Sequence, residues 1–393
     1  MEDLQTLLVA IAETGRASPS IPSIHELEFF RPFFPRDRLD QEMLDVRDGA
    51  CTRRELIARY LLLNAVLDQG PDIKGIRHLL IGVLNALYRR EIRVLHQPLS
   101  FFREIGVSID QIVSTHETVK TARARVWADE NNTQASRYNL FMDNSTQALC
   151  YAIFRWGVPL LLPVILERDC RDESGLPTAL LDYLENYPSA EKMSVGLKDH
   201  PRYGLGKAVG DKACHLFAKW YCSSFALTRR VADPRWGPFS YEVPFDSNAG
   251  RVLWRAGFFL RLASLEEYVA AQAVQVGSGK GGLDYIRVTN IRDMGVTACV
   301  PASVHGAYVR ICTEHLAVNS RPPRKIQIQR MPHALLIEAP NRGDLGIADL
   351  DEGLIHIGTT YCFNHNLPRC ADCPIGAECR GRVQPELIQK YRT

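Results

Sequence analysis

Four cysteines fall within 18 residues near the C-terminus, Cys362-x7-Cys370-x2-Cys373-x5-Cys379 in the run GTTYCFNHNLPRCADCPIGAEC. Cysteines this close in sequence cannot clamp distant segments together; they bring several thiols to one point, the donor set of a metal site. A tetrahedral zinc ion and a [4Fe-4S] cluster both take four thiolates, so residue type alone leaves the two open. Spacing favours the cluster. Zinc ribbons pair two CxxC knuckles set well apart, whereas here a single CxxC is flanked by two isolated cysteines. Four unrelated buried thiols are the bland alternative.

The chain around this loop is 393 residues long, beyond the usual size of one core, so two lobes are expected. It is 46% apolar and 23% charged, with no run long enough to span a membrane. The most apolar stretch, GVPLLLPVIL from Gly157, contains Pro159 and Pro163 and reads as a buried segment or turn. The start, MEDLQTLLVAIAET, lacks the basic region and small-residue cleavage site of a signal peptide. Seven further cysteines are scattered, which suits free thiols in a reducing compartment better than a disulfide scaffold. An intracellular monomer with no membrane partner is expected.

Forty-seven basic residues face 45 acidic ones, a net charge of +2, which excludes a polycationic nucleic-acid binder. Any nucleic-acid contact must then be a local basic face. Arg369, Arg380 and Arg382 stand in or beside the cysteine loop, and Arg321, Arg324 and Lys325 cluster in NSRPPRKIQIQR. An ordinary solvated surface is the competing reading of both groups.

Helical spacing dominates the apolar pattern, as at Leu56, Tyr60, Leu63 and Leu67, then Ile76, Leu79, Leu80 and Val83. Alternation of the strand type is scarce, and an all-α chain is predicted. The Gly-rich VQVGSGKGG from Val274 reads as a hinge; it is no phosphate-binding P-loop, because Gly rather than Ser or Thr follows Lys280. Two other segments could carry chemistry. In YGLGKAVGDKACHLFAKW, residues 203–220, a glycine-containing turn runs into an amphipathic helix, and backbone amides at such a helix start can hold a phosphate. In EVPFDSNAGRVLWRAGFF, residues 242–259, Asp246 precedes a strongly helical run, where its plain role is an N-cap.

VPFDSNAGRVLWRAG resembles the "vpvDthvxRvxxRlG" segment of the helix-hairpin-helix-GPD DNA glycosylases, and VGDKA at 209–213 is similar to the hairpin core "GVGxKtA" that precedes it. The endonuclease III and adenine glycosylase branches of that superfamily end in a [4Fe-4S] loop preceded by an "hGxxxC" helix, as LIHIGTTYC stands here. VLDQGPD, with Gln69 and Asp72, resembles the "lSxQtxD" segment of the first barrel helices. The chain departs from the pattern in four places, one of them an enlarged stretch between Asp246 and the cysteines. The first cysteine gap is seven residues instead of six, Ala208 replaces the first hairpin glycine, and Lys212 and Asp246 stand 34 positions apart with RRVADPRWGPFSYE as an apparent insert.

The resemblance implies two helical lobes with a DNA cleft between them. One is a helical barrel over 51–245 that carries the hairpin; the other combines 1–50 with 246–393 and ends in the cluster loop. It also implies base excision from double-stranded DNA. An extruded base would lose its N-glycosidic bond to chemistry centred on an ionised Asp246, which would stabilise the cationic sugar and activate the nucleophile. Lys212 is the candidate Schiff-base nucleophile of a combined glycosylase and abasic-site lyase; if it is instead a solvated helix lysine, water is the nucleophile. Gln69 would fill the vacated stack, while the amides of Val209 and Gly210, with Arg369 and Arg380, would hold phosphates. Tyr203, Trp220, Phe245 and Trp254 are candidates to stack on the base, or else core residues. Cys362, Cys370, Cys373 and Cys379 would ligate the cluster. A DNA-binding protein without catalysis and a zinc-stabilised helical protein are the alternatives.

Overall fold

The computed structural model describes residues 2–30, 47–48, 51–67, 73–104, 106, 108–110, 113, 160–169, 179–206, 211–233, 236, 242–244, 247–261, 275–278, 284–287, 334–336, 340, 342–362 and 368–384. These residues are helical for the most part. The helices are α1 (Glu2–Ala17), α2 (Arg53–Leu67), α3 (Ile73–Tyr88), α4 (Pro98–Glu104), α5 (Leu161–Asp169), α6 (Ala179–Glu185), α7 (Ala190–Asp199), α8 (Asp211–Lys219), α9 (Ser247–Arg255), α10 (Ile347–Thr360) and α11 (Arg380–Val383). Three antiparallel two-stranded ladders accompany them: β1 (Arg47–Asp48) with β2 (Cys51–Thr52), β3 (Glu242–Pro244) with β6 (Ala334–Leu336), and β4 (Gln275–Ser278) with β5 (Asp284–Arg287). The Gly-rich stretch read as a hinge is therefore in part a hairpin strand, β4. GVPLLLPVIL is in part helix α5, which accepts Pro163 because a proline in the first helical turn lacks only an N–H that has no partner there.

The chain divides into two compact units, 21–232 and 1–20 with 233–393. The sequence reading sets these divisions at 50 and 245. Residues after 20 join the first unit because Glu28 donates its N–H to Asn85 Oδ1 (2.8 Å) and Phe29 packs on Tyr88, both residues of α3.

In the 21–232 unit α2 is the central helix. Leu56, Tyr60 and Leu63 are buried, but so are its polar residues, and a helix sequestered on every side shows little amphipathicity. Two of its buried charges pair with each other. Arg59 binds Glu55 at 2.7 Å and donates to the Leu95 carbonyl, while Glu55 accepts the Leu181 N–H from α6. Alongside lie α7 and α8: Ser189 caps α7 by accepting the Lys192 N–H, and Ser194 of α7 bonds His215 of α8 at 2.9 Å.

The second unit is organised on α1, α9 and α10. Leu7, Leu8 and Ile11 of α1 pack with Val252 and Leu253 of α9 and with Leu350, Leu354 and Ile357 of α10. Helices α1 and α10 touch backbone to backbone, because a Cβ at Gly353 would collide with the Ile11 carbonyl and one at Gly15 with that of Asp349. Cys362, Cys373 and Cys379 pack against the rim of this core. Among the described residues no helix is long and apolar enough to cross a membrane.

Candidate metal centre and the helix that holds it

Helix α10 delivers the first cysteine. Its C-terminus ends with the N–H groups of Tyr361 and Cys362 both donating to the Ile357 carbonyl, so Cys362 leaves the helix in a fixed direction. The other three follow in a chain of tight turns over 370–379, with Gly376 N–H on Cys373 O (2.9 Å) and Glu378 N–H on Ile375 O (3.1 Å). The loop closes back on α10 where Arg369 N–H meets Tyr361 O at 2.8 Å.

All four cysteines line one pocket, together with Val252, Arg255, Ile357 and Arg382. Burial pushes the Cys370 and Cys379 thiols up and that of Cys373 to about 11, so they would stay protonated at neutral pH without a cation to displace the protons. Among the described residues no group of three or more His, Cys, Asp or Glu side chains is close enough to hold a metal ion as the chain stands. Four thiols in one loop are the donor set that either a tetrahedral zinc ion or a [4Fe-4S] cluster would take.

Helix α9, the helical part of the Asp246 segment, holds this loop. Arg251 Nε donates to Cys362 O at 2.5 Å, and its Nη2 donates to Gly358 O (2.8 Å) and Asn248 Oδ1 (2.7 Å). One turn on, Arg255 Nη1 reaches Cys362 Sγ at 3.4 Å, and the Cys379 thiol donates to the Arg255 carbonyl at 3.6 Å. Both guanidinium groups are buried. Beyond the helix, Arg261 ties Ala256 O (2.7 Å) to Glu378 O (3.0 Å). Two glycines permit the fit. Gly358 lets Asn248 close on α10, and Gly257, at φ +78°, leaves room for the aliphatic stem of Arg380. The sequence reading passed over Asn248, Arg251, Arg255 and Arg261; its available signal was an arginine pair at i, i+4 on an otherwise amphipathic helix, a spacing that puts both on one face.

The other predicted site residues fall as follows. Lys212 is the second residue of α8 and is half-buried. Arg380 donates to Leu260 O at 3.3 Å. Arg369 is about half exposed, pairs with Asp372 at 3.0 Å and lies over the Tyr361 ring. Trp220 and Trp254 are core residues, 0% and 3% exposed, which removes both as stacking surfaces for a base. Tyr203 stacks on His200 at the hairpin turn. Gln69, Asp72, Val209, Gly210, Phe245, Asp246, Arg321, Arg324 and Lys325 lie outside the described residues. Comparison with protein-family models, curated proteins and solved structures finds no match to this chain.

Proposed function

We propose that this chain is a DNA glycosylase carrying a [4Fe-4S] cluster on Cys362, Cys370, Cys373 and Cys379. The observation that supports it most is the junction of two motifs read separately in the sequence. The arginines of the Asp246 segment grip the backbone and sulfur of the first cysteine, more than 100 residues downstream. The motif pair thus behaves as one assembly, which independent surface loops would not.

The chemistry assigned to Asp246 is hydrolysis of an N-glycosidic bond. Its ionised carboxylate accepts a proton from water as the water oxygen attacks the anomeric carbon. The C–N bond breaks, the base departs with the bonding electrons, and solvent protonates it. The same negative charge stabilises the cationic sugar of the transition state. Where the neutral amine of Lys212 attacks instead, the base leaves in the same way. The sugar then opens to a Schiff base, and loss of a proton expels the 3′ phosphate. A bound cluster supplies a covalent crosslink that holds the loop bearing Arg369 and Arg380, two candidate phosphate contacts on double-stranded DNA. Gln69 fills the gap left by the base, and the amides of Val209 and Gly210 hold the backbone at the hairpin.

Asp246→Asn removes the charge at constant shape. It is expected to abolish base release from duplexes bearing damaged, mismatched or modified bases while duplex affinity stays within about twofold; equal release by the variant defeats the reading. Borohydride trapping of a covalent protein–DNA adduct, absent in Lys212→Gln, assigns the lysine step. Visible absorbance that bleaches on reduction distinguishes the cluster from zinc.

A further inference from the structure

The segment between α9 and α10 sends a strand back to the residues that lead into Asp246, and we propose that this return strand is a positioning element for that carboxylate. The inference rests on the glycosylase reading of Asp246. Strand β6 pairs with β3 in the register Glu242↔Leu336, Val243↔Leu335 and Pro244↔Ala334. Pro244 has no N–H to donate, which puts the doubly hydrogen-bonded pair of this ladder at Val243–Leu335. Three-residue ladders do not stand alone in water, and this one is anchored by Val243, which is fully buried in the core that α9 and α10 share. Helix α9 starts at Ser247. Asp246 is therefore bracketed, with only residues 245–246 between a pinned strand and a packed helix.

A second strand from the same segment bears on the same place. Strand β5, paired with β4, lies against α9. Strands β6 and β5 thus touch the described strand and helix that flank Asp246. Geometry of this kind matters for rate more than for binding, since a misplacement of about 1 Å in a catalytic group can cost on the order of a hundredfold.

Leu335→Pro deletes the donor at the centre of the ladder and leaves Asp246, the cysteines and the arginines in place. The single-turnover rate of base release should fall by about tenfold to a hundredfold, with duplex affinity within twofold and visible cluster absorbance per chain unchanged. A rate equal to that of the unaltered chain overturns the proposal. Leu335→Gly keeps the N–H and weakens the strand, and it covers the case in which the proline variant loses its cluster or fails to fold. It should release base several-fold more slowly with faster amide exchange at Val243, and unchanged release with that exchange accelerated again overturns the proposal. Absence of release by the unaltered chain on every duplex would instead defeat the glycosylase reading itself, so the two failures are distinct.

Discussion

Helices α2 and α9 both carry arginines into a buried interior, and they settle the charge in opposite ways. On α2, Arg59 finds a carboxylate one turn away in Glu55, and the two are 2% and 0% exposed. The pair is locally neutral and its spare hydrogen-bonding capacity goes to the backbone of neighbouring segments. On α9, Arg251 and Arg255 spend their donors on the carbonyls of Gly358 and Cys362 and on the Cys362 sulfur. Positive charge is thereby brought up to four thiols that become anionic when they bind metal. The first arrangement holds a core together; the second sets positive charge beside thiols that would carry negative charge if they bound a metal. A buried arginine thus points to function when the groups around it can acquire negative charge.

The comparison can be broken most forcefully at Arg59. Arg59→Met strands the Glu55 carboxylate in the core, and chemical denaturation should show a loss of about 3–5 kcal/mol, with much of it restored in the Glu55→Gln/Arg59→Met double variant. A double variant as unstable as the single one would show that the carbonyl bonds of Arg59, and not its pairing, hold the unit.

Arg251→Ala should cost less in stability and more in metal retention. It removes the hydrogen bonds to Cys362 O, Gly358 O and Asn248 Oδ1 but strands no buried carboxylate, and the net cost should be about 1.5–3 kcal/mol. Visible absorbance should decay faster under chelator than in Arg59→Met; equal decay in the two would erase the distinction between the helices.

Gly353→Ala separates packing from charge. The added methyl forces α1 and α10 apart at the Ile11 carbonyl. Overpacking of this kind costs about 1–3 kcal/mol, read from the thermal melting temperature, with cluster absorbance intact.

The smallest effect is electrostatic and lies at the surface. Hydrogen bonds from Arg342, with Arg16 nearby, hold the Asp344 carboxyl below the usual carboxylate range. The group binds its proton less readily when folded, so its contribution is present above the ordinary carboxylate pKa and lost as pH falls through the lowered one. Asp344→Asn should flatten the acid limb of the melting-temperature profile slightly, and salt should flatten it in the unaltered chain.

Local patterns carried much of this molecule. The apolar spacing through Leu56, Tyr60 and Leu63 marks α2, and the Gly358-x3-Cys362 spacing marks the end of α10, because both depend on neighbours within a turn or two. VQVGSGKGG misled because strand β4 exists only through its pairing with β5. Trp220 and Trp254 take the core alternative, because an aromatic at helical spacing more often faces the core than a ligand.

The sequence by itself determined that four cysteines share one loop of 18 residues. It also determined the helical character, through periodicity that each segment carries within itself. Only the tertiary structure decided what closes around those thiols. Arg255 and Cys362 are 107 residues apart, and the paired residues of β3 and β6 are 90 or more apart, so neither contact has a local code. They arise because burying the apolar faces of α1, α9 and α10 together leaves one way for α9 to lie, and that way puts two arginines on the first cysteine and a returning strand beside the approach to Asp246.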